Sequence, residues 1–220
     1  MKLVCLSDTH CRHKQIEVPE GDILIHAGDL CSVGRSLSEI ESFGKWIRKQ
    51  PHQYKIVIAG NHDRMFQDYP EAALEALGDG LIYLQDSSVV IDGVKFWGSP
   101  WQPEFCNWAF NVKRGAKIRQ KWDLIPDDID VLITHGPPKG IMDECPKWGG
   151  GFINVGCREL GKTIMHRLKI KLHIFGHIHE GYGETDMEGV HFINASSCDV
   201  DYNPVNPPIV YELPVETEEV

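Results

Sequence analysis

Apolar residues in this chain come in short, β-branched runs, and each run stops at a cluster of polar, turn-forming residues. Lys2–Leu6 runs into Ser7-Asp8-Thr9-His10, residues 22–27 into Gly28-Asp29, and residues 54–59 into Gly60-Asn61-His62-Asp63. Further on, residues 130–134 deliver His135-Gly136-Pro137-Pro138, and Leu172–Phe175 delivers Gly176-His177-Ile178-His179. Continuous apolar runs closed by Gly read as buried strands ending in sharp turns. Gly60 opens backbone angles closed to other residues, so the polar side chains after it can swing into a shared space.

Helical periodicity fills the gaps. Ser38 and Glu41 stand at capping-box spacing, with Leu37, Ile40, Phe43 and Ile47 on one face and Pro51 as the stop. Pro70 and Gly78 bracket a short helix over 70–77, and Leu160, Ile164 and Leu168 mark the inner face of a helix over 158–168. Residues 81–98 change to hairpin-like runs (81–84, 88–91 and 94–97), with Asp92-Gly93 as a strong turn signal. An aromatic-rich loop with Trp101, Phe105, Trp108 and Phe110 follows, and residues 142–155 read as Gly-rich loop. Strands over 190–193 and 208–213 close the chain, before an acidic tail with Glu216, Glu218 and Glu219. Alternating βα units followed by strand-rich text predict one α/β domain over 1–220, with two mixed sheets and helices outside.

At 220 residues the chain is long enough to bury one sizeable core. Seven cysteines, an odd count without a C-x-x-C pair, read as free thiols in a reducing compartment. The opening residues lack the apolar length of a signal peptide, no run is long enough to span a bilayer, and the expected location is cytoplasmic. A formal net charge of −10 argues against a nucleic-acid polymer or an anionic membrane as partner.

The polar residues at the run ends are Asp8, His10, Asp29, Asn61, His62, His135, His177 and His179. In open α/β sheets, sites form beyond the carboxyl ends of the strands, so these groups can converge. Imidazole with carboxylate suits borderline divalent ions such as zinc, manganese or iron. In Asp8-x-His10 and His177-x-His179 both partners would point to one side of an extended backbone. The remaining histidines (His13, His26, His52, His166, His173 and His191) read as structural, with His26 placed for a hydrogen bond at the edge of the site. Gly149-Gly150-Gly151 does not open a helix after a strand as a phosphate loop would, and reads as a mobile loop near the pocket.

Asp8-x-His10, Gly28-Asp29, Gly60-Asn61-His62-Asp63, His135 and Gly176-His177-x-His179, in that order, resemble the calcineurin-like metallophosphoesterase superfamily. Gly98-Ser99-Pro100-Trp101, Thr134 to Pro138, His179 to Gly183, Asn194 to Cys198 and Asn206-Pro207-Pro208 look like its MPPED-type branch, so the resemblance spans nearly the whole chain. It implies a four-layer α/β/β/α sandwich and a dinuclear centre. One metal would take Asp8, His10 and His179, the second Asn61, His135 and His177, with Asp29 bridging. A metal-bridging hydroxide would attack phosphorus, and His62 would protonate the leaving alkoxide or hold a phosphate oxygen. Two divalent ions, two carboxylates and one hydroxide sum to a locally cationic centre, which reconciles an anionic substrate with the acidic total.

The protein serine/threonine phosphatases follow their second motif with an Asp and an Arg; here Gly28-Asp29 continues as Leu30-Cys31-Ser32-Val33-Gly34. What orients His62 is therefore open at this point. The MPPED-type resemblance implies phosphodiester hydrolysis, with 2′,3′- and 3′,5′-cyclic nucleotides as candidate substrates and Trp101, Phe105, Trp108 and Trp148 as candidate base-stacking residues. A phosphomonoesterase on small phosphates or nucleotides, and a metal-stabilised scaffold with residual catalysis, stand as alternatives.

Overall fold

A computed structural model describes residues 1–147 and 149–214. Its strands are β1 (Lys2–Leu6), β2 (Ile23–Ala27), β3 (Tyr54–Ile58), β4 (Ile82–Tyr83), β5 (Ser87–Ile91), β6 (Val94–Ser99), β7 (Gln102–Pro103), β8 (Asn111–Val112), β9 (Val131–Thr134), β10 (Glu144–Pro146), β11 (Phe152–Asn154), β12 (Leu172–Phe175), β13 (Gly183–Met187), β14 (Val190–Asn194) and β15 (Ile209–Glu212). The helices are α1 (Leu37–Ile47), α2 (Arg64–Asp68), α3 (Pro70–Leu77), α4 (Ala116–Trp122) and α5 (Arg158–His166). One sheet has the order β15-β1-β2-β3-β4, the other β13-β14-β12-β9-β6-β5. Both are mixed: β1, β2, β3 and β4 run parallel, as do β6, β9, β12 and β14, while β15, β13 and β5 join antiparallel.

The period of two along each strand divides the apolar residues into three cores. Leu3, Cys5, Ile25, Ile56 and Ile58 from the first sheet meet Phe96, Val131, Ile133, Ile174 and Ile193 from the second, forming the central layer. Their neighbours Val4, Leu6, Leu24 and Val57 face outward to Ile40, Phe43 and Ile47 of α1 and Leu77 of α3. On the far side Trp97, Leu132, Phe175 and Phe192 pack against Ile118 and Trp122 of α4 and Leu160 and Ile164 of α5. The molecule is the four-layer α/β/β/α sandwich. Among the described residues no helix is long and apolar enough to cross a membrane, and all seven cysteines are free.

Several local readings shift. The cap of α1 is Ser36, two residues before the expected one: its side chain accepts from the Ser38 N–H, and Glu39, rather than Glu41, turns back to accept from Gly34 N–H at 3.0 Å. Asp92 (φ 47°) and Gly93 (φ 81°) make the predicted β5–β6 turn, with both central residues left-handed. Residues 82–83, read as part of a hairpin, instead extend the first sheet by pairing parallel with β3. The supposed loop over 142–155 holds the two-stranded pair β10–β11, whose three-residue, largely exposed strands are too short to show an apolar alternation. α2, α4 and β13 were not legible from periodicity, because each is short or polar on most of its surface. Trp148 and the tail beyond residue 214 lie outside the described residues.

His173, fully buried in β12, has its pKa pushed down to about 3 by burial. Its folded value lies below the ordinary 6.5, so the stability it contributes is complete above pH 6.5 and is lost as pH falls from there. We expect the unfolding free energy of the metal-free protein to drop between pH 7 and pH 5, this group costing up to about 1.4 kcal/mol per pH unit below 6.5. Urea unfolding at both pH values, compared with His173→Gln, measures it; equal slopes for the two proteins would refute the assignment.

Candidate metal centre

The expected residues do converge, at the carboxyl ends of the two sheets. Asp8 and His10 follow β1, Asp29 follows β2, Asn61 and His62 follow β3, His135 follows β9, and His177 and His179 follow β12. They arrive through turns and not on extended backbone. Asp8 (φ 50°), His10 (φ 39°), Asp29 (φ 57°) and His177 (φ 70°) are all left-handed. The same-side argument for the two x-spaced pairs therefore does not hold as stated. Asp8 and His10 do share one group of potential ligands, Asp8–His10–His179, but His177 joins another, Asp29–His135–His177.

The close fit comes from small residues. A Cβ on Gly28 would lie 2.6 Å from His135 Nδ1, and one on Gly60 2.6 Å from His135 Cε1 and 2.5 Å from the Asp29 nitrogen. A Cβ on Gly176 would overlap Ser7 and Asp8.

Each side chain has one polar atom anchored and another aimed at the common space. His10 Nδ1–H donates to the Cys31 carbonyl (3.1 Å), His135 Nδ1–H to Ala27 (3.0 Å), and His179 Nδ1–H to Asp199 (2.8 Å). In the neutral form that would ligate a metal, each ring presents its Nε2 lone pair to the common space. Asp8 Oδ2 accepts from His177 N–H (2.8 Å) and the Ser196 hydroxyl (3.0 Å), and Asp29 Oδ1 accepts from His62 N–H (2.7 Å). Asp8 Oδ1 is buried and finds no hydrogen-bond donor among the described residues.

With the rings neutral, acceptors face acceptors. His10 Nε2 and His179 Nε2 are 3.3 Å apart, and His135 Nε2 is 2.8 Å from Asn61 Oδ1. Asp29 Oδ2 lies 3.4 Å from His135 Nε2 and 3.9 Å from His10 Nε2; Asp8 Oδ1 lies 3.5 Å from His179 Nε2. Lone pairs at such distances repel unless protons or a metal cation sit among them, and carboxylates, an amide oxygen and imidazoles together are a donor set that fits divalent ions.

Electrostatics point the same way. Burial opposes ionisation of Asp8 and Asp29, but the surrounding histidines outweigh it and hold both carboxyls well below the usual range. Burial lowers His10 to about 4, and burial with the His135 charge lowers His177 to about 3, which keeps both in the neutral, ligating form. Burial would also lower His135 and His179, yet Asp29 and Asp8 respectively raise each to about 9. Two protons thus balance two carboxylates where metal charge would otherwise do so.

What orients His62 is now visible. Its Nδ1–H donates to the Ser32 carbonyl, and its ring stacks on Trp108 at 4.1 Å and 27°. Asp63, fully buried, accepts from the N–H groups of Cys31 (2.9 Å), Gly60 (2.8 Å) and Leu30 (3.3 Å). It ties the Asp29 loop to the Asn61–His62 loop. Sequence reasoning gave Asp63 no role, although its place in the Gly60–Asp63 string was the available signal.

A pocket of about 430 Å³ opens over Asp29, Asn61, His62, His177 and His179, walled by Phe105, Trp108, Arg114, Glu180 and Tyr202. Tyr202 stands edge-on to His10 at 4.7 Å. Trp101 is no part of this wall: its Nε1–H donates to Asp86 (2.8 Å) and Lys121 Nζ sits 3.8 Å over its ring, which makes it an anchor for the loop.

A chain whose strand ends assemble these ligand groups on this sandwich belongs to the calcineurin-like phosphoesterase family, whose model matches residues 1–181. That family consists of metal-dependent phosphoester hydrolases. The chain is 46% identical over 235 residues to Metallophosphoesterase domain-containing protein 1 of Homo sapiens, and equally to that of Mus musculus, covering 97% of this chain and 71% of each relative. A UPF0046 protein of Caenorhabditis elegans is 39% identical over 230 residues, covering 99% of this chain and 77% of that one. The crystal structure of TT1561 of Thermus thermophilus shares the fold, with a TM-score of 0.57 over 88% of both chains at 11% identity.

Gly60→Ala should break the centre, since its methyl group would meet Asp29 backbone and the His135 ring. We expect a stability loss of about 1–3 kcal/mol, typical of overpacking, together with weakened manganese uptake. Thermal melting and calorimetric titration check this; wild-type values in both would remove the close-approach argument.

Proposed function

We propose that the protein is a phosphodiesterase using two divalent ions (manganese, iron or zinc), and that Asp29 is their shared ligand. Asp8, His10 and His179 would hold one ion, and Asn61, His135 and His177 the other. The observation that supports this reading is the position of Asp29 Oδ2, within 3.9 Å of His10 Nε2 on one side and 3.4 Å of His135 Nε2 on the other. When bound, such ions would supply Lewis acidity at the phosphoryl group and a nucleophile near neutral pH.

The chain's own groups do the rest. His135, pinned from behind by the Ala27 carbonyl, and Asn61 Oδ1, 2.8 Å from its Nε2, lie on one side of the centre. His62 has Nδ1 committed to Ser32 and its ring face on Trp108, so Nε2 is the atom that exchanges a proton. Protonated, it would hydrogen-bond a phosphoryl oxygen and pass its proton to the departing alkoxide.

Charge on the pocket wall favours a singly charged diester over a dianionic monoester. Arg114, the one arginine of the wall, already donates to the carbonyls of Val155 and Gly156, and Glu180 adds a negative charge. A pocket of about 430 Å³ with half-exposed Phe105 and Tyr202 suits a nucleotide-sized group, which supports 2′,3′- or 3′,5′-cyclic nucleotides as substrates. The partner is then a small phosphodiester and not a nucleic-acid polymer, in keeping with the net charge of −10.

Asp29→Ala and His177→Ala should abolish turnover of bis-p-nitrophenyl phosphate with loss of bound metal. His62→Ala should keep its metal and lose about 10²–10⁴-fold in kcat. Metal analysis alongside kinetics tests all three, and unchanged rates in the set would end the proposal. The wild-type protein should prefer the bis-ester over p-nitrophenyl phosphate in kcat/KM; the opposite preference would favour the monoesterase.

A further inference from the structure

Two buried histidines that the proposed chemistry does not use occupy corresponding places in the two sheets. His26, in β2, has Nε2 3.0 Å from Thr9 Oγ1 and its ring edge-on to Phe43 at 4.7 Å. His173, in β12, has Nε2 2.8 Å from Thr134 Oγ1 and its ring 4.9 Å from Phe175 and 5.8 Å from Phe192. Both are fully buried, and each leaves Nδ1 without a partner among the described residues. An imidazole under a layer of aromatic and aliphatic side chains is costlier than a leucine there. The threonine contact is the one polar interaction either ring makes among the described residues.

The Thr134 hydroxyl shows what the contact does in the second sheet. Thr134 Oγ1–H donates to the Gly136 carbonyl at 2.8 Å, so the same oxygen must accept from His173 Nε2–H. That proton placement makes Nδ1 a lone pair, the less costly atom to leave bare in apolar surroundings. Thr134 thereby locks the backbone on both sides of His135. Thr9 stands between Asp8 and His10, in a turn where Asp8, His10 and Cys11 have φ of 50°, 39° and 63°. Non-glycine residues keep such angles only where their surroundings over-determine them. Each threonine also serves a different ligand group, Thr9 that of Asp8, His10 and His179, Thr134 that of Asp29, His135 and His177.

We infer that His26 and His173 are positioning residues, each bracing through a threonine hydroxyl the turn that supplies ligands to one of two ion positions. The inference rests on the two-ion reading given above. It assigns one histidine–threonine pair to each sheet and one ion to each pair.

The test is a manganese titration of the metal-free full-length protein, with free Mn²⁺ followed by electron paramagnetic resonance and thermal melting recorded in parallel. Thr9→Val and His26→Leu should weaken one of the two binding steps by about 10- to 100-fold, and Thr134→Val and His173→Leu the other. His26→Gln and His173→Gln, whose amide can hydrogen-bond the threonine hydroxyl in place of Nε2, should recover most of the affinity. The isosteric threonine variants carry the test if the leucine variants do not fold. Lowered melting temperatures with both manganese steps intact would overturn the inference, as would glutamine variants that bind as weakly as the leucine ones. Wild-type protein with fewer than two binding steps would overturn the two-ion reading itself, a result distinguishable from intact wild-type uptake with unaffected variants.

Discussion

The structure depends on a crowding of hydrogen-bond acceptors. Asp8 Oδ1, Asp29 Oδ2, Asn61 Oδ1 and the Nε2 atoms of His10, His135 and His179 meet in a buried space that needs positive charge, from protons on His135 and His179 or from metal ions, to hold them together. Without that charge, those groups would repel one another. Everything around them resists that: two sheets ending at the same level, glycines that let turns touch, and a backbone carbonyl behind each of those three imidazoles. A space with this character selects cations, which is why the donor chemistry and the family membership agree.

The supporting bonds come from distant parts of the chain. Asp8 is held by the N–H of His177 and the hydroxyl of Ser196, and His135 by the carbonyl of Ala27. Because these bonds cross between the two sheets, the centre is also a clamp that fixes one sheet against the other. Asp63 plays the complementary part within the first sheet, and burial with the nearby Asp29 charge raises its pKa to about 7. Three N–H donors on one carboxylate hold two loops in a single arrangement.

Aromatic residues in the loop after β6 divide by their partners. Trp108 lies on His62 and Phe105 is edge-on to His177 at 5.2 Å, so both belong to the pocket. Trp101, with the same residue type and nearly the same sequence neighbourhood, is spent on Asp86, Lys121 and Phe110. Tyr202, from a loop near the other end of the chain, closes the wall that Trp101 was expected to help form.

Residue order was enough to specify the strands that lead into the site, the turn residues at their ends, and the identity of the eight polar groups that meet. Those properties follow from local rules: period-two burial, glycine at tight turns, and strands that deliver side chains to one edge of a sheet. Folding in three dimensions selected which carbonyl stands behind each imidazole, set His62 against Trp108, and sent His177 and His179 to different ligand groups. It also moved the cap to Ser36 and formed the strand pair inside the Gly-rich stretch. Apart from the cap, which is a local choice among neighbouring serines and glutamates, these turn on left-handed backbone angles or on bonds between residues far apart in the chain, and no periodicity records which distant atom a side chain will meet.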